Sequence, residues 1–221
     1  MKVRAITTGT NLDLPFDGAA FAKAAAFCKH TKEAIEQHGI EVQTTRVVGS
    51  TLNGLLHRPG AVVELARILD AACTREGIDY CSVGCIDTTG AHAPLVFAGE
   101  LSQAISETER IFACVLASSN GVAINRDAVL ECARTVLQIS RSTTDGFRCM
   151  RFAVGANTSP NGPFFPTSYH DGGPTAFSLA LEAADVAVEV FARTQGKDVE
   201  TVRSSLTTAI EERCLPLEEA A

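Results

Sequence analysis

Residues 162–177, GPFFPTSYHDGGPTAF, gather chemistry-bearing side chains more densely than any other stretch of the chain. Phe164 and Phe165 stand between Pro163 and Pro166, and Tyr169, His170 and Asp171 then run into Gly-Gly-Pro. An imidazole beside a carboxylate can move protons near neutral pH or ligate a divalent cation. A second polar stretch, DTTGAHAP, carries Asp87 and His92. Asp87, His92 and His170 are therefore a candidate acid–base or metal set, with His170 or Asp87 as the proton-moving group. Whether a metal binds there is left open by spacing alone, and no cofactor is indicated.

Arg46 follows Thr44 and Thr45 late in a β-branched run. An arginine near the mouth of a parallel sheet wants an anionic partner, either a neighbouring Asp or a ligand's carboxylate or phosphate. Asn11, Asn120 and Asn157 each follow the end of an expected strand. Turn formation accounts for each singly; aimed at one cavity, the three would read a small polar ligand. Phe164 and Phe165 would wall that cavity, and Tyr169 would orient what it holds. Of eight cysteines, Cys85 alone lies near the expected functional end, where it is a nucleophile candidate or a buried structural thiol. Cys81 and Cys85, four apart on one strand, would share a face about 13 Å apart, too far for a disulfide or a shared metal.

These groups need elements to position them, and β-branched runs alternate with helical patterns along the whole chain. Strands are expected at 3–7, 41–48, 79–86, 111–117 and 148–156, with helices at 17–37, 60–76, 94–108, 125–140, 174–194 and 198–221. Asn125 reads as a helix cap. In the helix expected at 174–194, Ser178, Glu182, Asp185, Glu189 and Arg193 form a polar stripe with a Glu189–Arg193 pair, and Pro174 sits in the first turn. Five strand–helix alternations imply right-handed βαβ units and a parallel sheet in a single α/β domain. The loops after the strands are long and polar and the opposite ones short, so the functional face lies at the strands' carboxyl ends.

Composition narrows the classes. A net charge of −7 argues against wide nucleic-acid or anionic-membrane surfaces. The first residues show no apolar leader and no run is long enough to span a bilayer, so a cytoplasmic protein with free thiols is expected. Glycine-rich nucleotide loops, CxxC pairs, HExxH and nucleophile elbows are all missing from the sequence.

Three blocks, VRAITTGTNL, EVQTTRV and AVGANTSPNGPFFPTSYHDGGPTAFSLALEAADVAVEVF, resemble domain-of-unknown-function family 711 along essentially the whole chain, more loosely in its middle third. The resemblance implies a relative, in fold only, of glycyl-radical enzymes such as pyruvate formate-lyase. Those enzymes hold a ten-stranded α/β barrel made of two parallel five-stranded halves set antiparallel. The five units counted here would be the N-terminal half, a parallel half-barrel; the alternative is an open doubly wound parallel sheet. No block matches a glycyl-radical loop, so the radical chemistry is not implied.

Function is expected to be that of an enzyme acting on a small polar, anionic metabolite in a barrel cavity. The alternative is a non-catalytic ligand-binding or assembly subunit. A weaker third reading is a hydrolase centred on Cys85. A half-barrel leaves strand edges and an apolar face open, so a homodimer or a second chain is expected to complete it.

Overall fold

The computed structural model describes residues 1–90, 94–119, 121, 123–144 and 146–220. Five parallel strands follow one another in space as in sequence: β1 (Lys2–Gly9), β2 (Thr45–Val48), β3 (Tyr80–Asp87), β4 (Ile111–Ser118) and β5 (Phe152–Ala156). A sixth, β6 (Ala176–Glu182), lies antiparallel against β1, so the order is β5-β4-β3-β2-β1-β6. Between the strands run α1 (Gly18–Gln37), α2 (Ala61–Glu76), α3 (Ala98–Ser106) and α4 (Arg126–Ser142). A strand order that never reverses keeps right-handed crossover helices on one face. The sheet is accordingly a half-barrel with an outer helical layer, and the doubly wound alternative does not apply.

The helices are cut where the sequence supplies caps. Asp17 accepts the N–H groups of Ala19 and Ala20 at 2.9 and 3.2 Å, and Asn125 accepts that of Ala128 at 3.1 Å. Gly77, at φ 66, closes α2 by donating its N–H to the Cys73 carbonyl. On α1 the buried residues Phe21, Ala24, Ala25, Cys28, Thr31 and Ile35 recur at three- and four-residue spacing and meet the β1 and β2 side chains. Val47, Cys81, Val83, Ile86, Ile111, Ala113 and Val115 complete this core under the helices.

Residues 174–194 differ from the expected single helix. Their first part is β6, paired with β1 from Lys2↔Glu182 to Gly9↔Ala176, and only Ala184–Arg193 is helical, as α5. The segment AFSLALE carries helix-forming Ala and Leu, but β1 offers a row of unpaired backbone groups, and satisfying them outweighs a propensity difference of a few tenths of a kcal/mol per residue. Pro174 therefore precedes a strand rather than opening a helix. Glu189 pairs not with Arg193 but with Arg213 at 3.2 Å, on the last helix, α6 (Val199–Ala220). The fifth strand is also shorter than expected, because Phe147–Arg151 is a 3-10 turn.

Cys81 and Cys85 do not share a face. Cys81 belongs to the core beneath the helices, whereas Cys85 packs with Cys114 and Leu116 in a separate cluster. Between them β3 is irregular, and Gly84 takes φ +119, a backbone conformation closed to most side chains. That single residue turns Cys85 toward the inner face. Among the described residues no helix is long and apolar enough to cross a membrane.

Candidate functional site

The inner, concave face is lined by side chains pointing away from the helices, and residues 157–175 run across it. Asn157 and Asn161 hold left-handed conformations, φ 55 and 60, that turn the segment back over the sheet. Phe165 packs edge-on against Phe112, with centroids 5.1 Å apart. Tyr169 packs on the Cys85–Cys114–Leu116 cluster, and the His170 N–H reaches the Gly49 carbonyl at 2.8 Å. The segment thus fills much of the concavity that the sequence suggested would be an open mouth.

Toward the amino ends of the strands, the face keeps a cavity of about 400 Å³. Arg46, Arg4 and Glu182 supply its charges, and Phe164, Phe165 and Leu181 its apolar walls. Arg46 is half-buried and lies in register with Thr7 and Tyr80, early in β2 rather than late. Its guanidinium carbon sits 4.9 Å from the Phe165 ring centre and 5.9 Å from that of Tyr80. Nε donates to Thr44 Oγ1 at 3.1 Å; among the described residues no carboxylate forms an ion pair with the group. Asp79, the nearest acid by charge effect, is engaged with the Thr45 N–H and hydroxyl at 2.8 and 3.1 Å. Burial first, and then the charge of Arg4, lower the pKa of Arg46.

At the carboxyl end lie Asp87, Cys85, Tyr169, His170, Asn11 and Asn157. Asp87 Oδ1 accepts the N–H and hydroxyl of Thr89 at 2.9 and 2.7 Å, while its backbone is clasped by the Asn53 amide. Cys85 is fully buried, and its hydrogen bond with Cys114, followed by burial, pushes its thiol pKa far up. A thiol held protonated is a poor nucleophile. Burial, then the neighbouring Cys85 and Asp87, push the Tyr169 phenol up to about 12, and its hydroxyl donates to the Thr158 carbonyl at 3.2 Å.

His170 is 0% exposed, and its ring lies so close to Gly9 that a Cβ there would stand 2.8 Å from Cδ2. Nε2 faces the Pro174 carbonyl at 3.0 Å. Nδ1 lies 3.3 Å from both Asn11 Oδ1 and the Gly172 nitrogen. Both ring nitrogens therefore have partners inside the chain, and this histidine braces the loop against β1. Asn157 forms the left-handed turn after β5. Asn120 and His92 lie outside the described residues.

The structure thus divides the expected site in two. Arg46, Phe164 and Phe165 meet at one level of the face; Asp87, Cys85, Tyr169, His170 and Asn11 lie further along the strands. Among the described residues no group of three His, Cys, Asp or Glu side chains is placed to hold a metal ion. Sequence reading missed Arg4 and Glu182. Arg4 sat within a strand run without any motif, and Glu182 was absorbed into the supposed helical stripe. Neither carried a sequence signal, because the β1–β6 pairing that brings them together was not expected.

Residues 1–220 match the family described as "Uncharacterised ACR (DUF711)". Among curated relatives, a UPF0210 protein of Methanopyrus kandleri is 32% identical over 123 residues, 51% of this chain and 25% of that protein. A UPF0210 protein of Sulfurisphaera tokodaii is 26% identical over 191 residues, 83% of this chain and 41% of its own length. One from Desulfovibrio desulfuricans is 26% identical over 143 residues, covering 62% and 31%. The chain spans less than half the length of each of these relatives.

Proposed function

The chain belongs to the DUF711 family, and from that premise, which brings no reaction with it, we propose an enzyme acting on a small polar, anionic metabolite held by Arg46 on the concave face. One observation carries this reading. The Arg46 guanidinium is half-buried between two rings with a single hydrogen bond and no carboxylate partner among the described residues. Withdrawing such a charge partly from water is unfavourable, and an anion compensates it more fully than the ring faces do. Further along the same face, Asp87 is the carboxylate that would move protons and the Tyr169 hydroxyl would orient the ligand; His170 positions the loop that covers the site. The eight cysteines are free thiols, which fits a reducing, cytoplasmic setting.

The test is titration of the chain with benzoate and with inorganic phosphate, followed by amide NMR shifts in residues 44–48. The Arg46→Met variant should bind the better anion at least about tenfold more weakly, the loss of roughly 1.4 kcal/mol expected for one charge-assisted contact. Equal affinity in the variant would remove the basis of the proposal.

A second reading, a non-catalytic ligand-binding or assembly subunit, is favoured by the engagement of the His170 ring nitrogens and the Cys85 thiol within the chain. Both readings share one expectation about assembly. Among the described residues, edge strands β5 and β6 each have one side without a paired strand, and Val154, Phe177 and Leu181 on them are exposed. A second copy, or a chain supplying the other half of a ten-stranded barrel, would cover them. Light scattering at micromolar concentration should give a mass above that of the 23.3 kDa monomer. A clean monomer that unfolds cooperatively would overturn this expectation.

A further inference from the structure

We infer that the Arg46 cavity selects a singly charged carboxylate joined to a flat apolar body, and that Glu182 is the residue that turns away doubly charged phosphate esters. The inference rests on Arg46 as the anion holder and adds the class of ligand. Three charged groups line the cavity, and they are not equivalent. Arg4 donates to Gln43 Oε1 at 3.0 Å and stands 3.9 Å from Glu182 Oε2, which also accepts from Gln43 Nε2 at 3.4 Å. Arg4 and Glu182 therefore largely answer one another at the solvent-facing rim. Arg46, deeper and unpaired, leaves a net charge of +1 to be met. A carboxylate meets it; a dianion would leave an excess negative charge beside Glu182 in a cavity half lined by carbon.

The inner face also carries an unpartnered hydroxyl beside Arg46. On β1, Ile6 belongs to the core beneath the helices and the Thr8 hydroxyl lies 3.2 Å from Cys28 Sγ of α1, so Thr7 between them points inward. Thr7 is in register with Arg46 on one side and Ser178 on the other. Its hydroxyl is 2% exposed with no hydrogen-bond partner among the described residues. Buried hydroxyls are nearly always partnered, so this one marks an unmet polar group one strand from Arg46, just beneath the residues that line the cavity. The apolar body has its own surface. Phe164 is 73% exposed although it is held in a proline-flanked loop, and with Leu181 it faces the same cavity. Flat rings stack on such a surface, and about 400 Å³ accommodates one ring with its acid group.

Benzoate, acetate and phenyl phosphate, titrated into the 221-residue chain by calorimetry, separate the terms. Benzoate should bind about tenfold or more tighter than either of the others. Glu182→Gln should raise phenyl phosphate affinity about tenfold and benzoate affinity only about threefold, because the dianion feels twice the repulsion. Phe164→Ser should erase the preference for benzoate over acetate and spare acetate itself. Phenyl phosphate binding through Arg46 as tightly as benzoate, or indifferent to Glu182→Gln, would overturn the inference while leaving Arg46 as an anion site. If no anion binds in an Arg46-dependent way, the underlying reading fails as well.

Discussion

Replacing Gly84 by alanine should sharply destabilise the protein. A Cβ at this position would stand 1.7 Å from the Ser50 carbonyl oxygen and 2.9 Å from its carbon, both backbone atoms with no rotamer to escape through. The φ of +119 adds strain that glycine alone avoids. Ser50 cannot retreat cheaply, because its carbonyl accepts the Cys85 N–H at 3.2 Å and Leu52 N–H reaches the Cys85 carbonyl at 2.8 Å. Displacing that strand extension forfeits these bonds on top of the steric cost, a combined loss of about 3–5 kcal/mol against a total stability of order 5–15 kcal/mol. Urea unfolding, or the soluble yield if the variant does not fold, measures it. Gly99→Ala, where nothing lies within 4 Å, is the control and should be neutral or slightly stabilising. A Gly84→Ala midpoint equal to that of the control would show that β3 does not need this turn of the backbone.

Arg151→Ala should cost nearly as much for a different reason. Arg151 is 1% exposed, and its fork donates to the Ile105 carbonyl at 2.8 Å, the Ile111 carbonyl at 3.2 Å and the Thr108 hydroxyl at 3.5 Å. Ile105 lies in the last turn of α3, whose terminal carbonyls have no helical partner and attract a cation. Arg148 serves the same helix end through the Ser106 and Thr108 carbonyls, at 2.6 and 2.9 Å. Truncating Arg151 leaves buried acceptors unmet, at roughly 1–3 kcal/mol each, and opens a cavity; a loss of about 3–5 kcal/mol is expected. Arg151→Lys, with charge but no fork, should fall between. An unfolding midpoint for Arg151→Ala within error of the unmutated chain would mean that Arg148 alone suffices.

Where a residue's own chemistry decided its place, the sequence was readable. Asp17 and Asn125 cap helices because a short side chain can reach two or three residues ahead, whatever the rest of the fold does. The run IFACVLA is a strand buried on both faces, and VRAIT is one buried at every residue but Arg4; their β-branched and apolar content says so. AFSLALE was not readable in this way, since its identity comes from the open side of β1 and not from its own alanines and leucines. Arg46 was legible as an anion seeker, but its level on the sheet was not: β2 begins at Thr45, later than its sequence suggests, which moves Arg46 away from the carboxyl end. His170 stood out as a free imidazole beside a carboxylate. What sequence could not convey was Gly9, whose missing side chain admits the ring into the interior, where backbone groups take both its nitrogens.

The antiparallel seam between β1 and β6 also has a meaning in time. β1 is joined on its outer side to the sheet strand farthest from it along this chain, Lys2 opposite Glu182. A chain emerging from the ribosome can build β1 through β5 by adding neighbour to neighbour, each closing a modest loop. The seam must wait until β6 has been made, and ring closure over that span is the slow, entropically demanding kind. Until then β1 shows a bare edge, the template on which nascent chains join to the wrong partner. The Arg4–Glu182 rim of the cavity straddles this same seam, so its binding competence is acquired only when the seam closes.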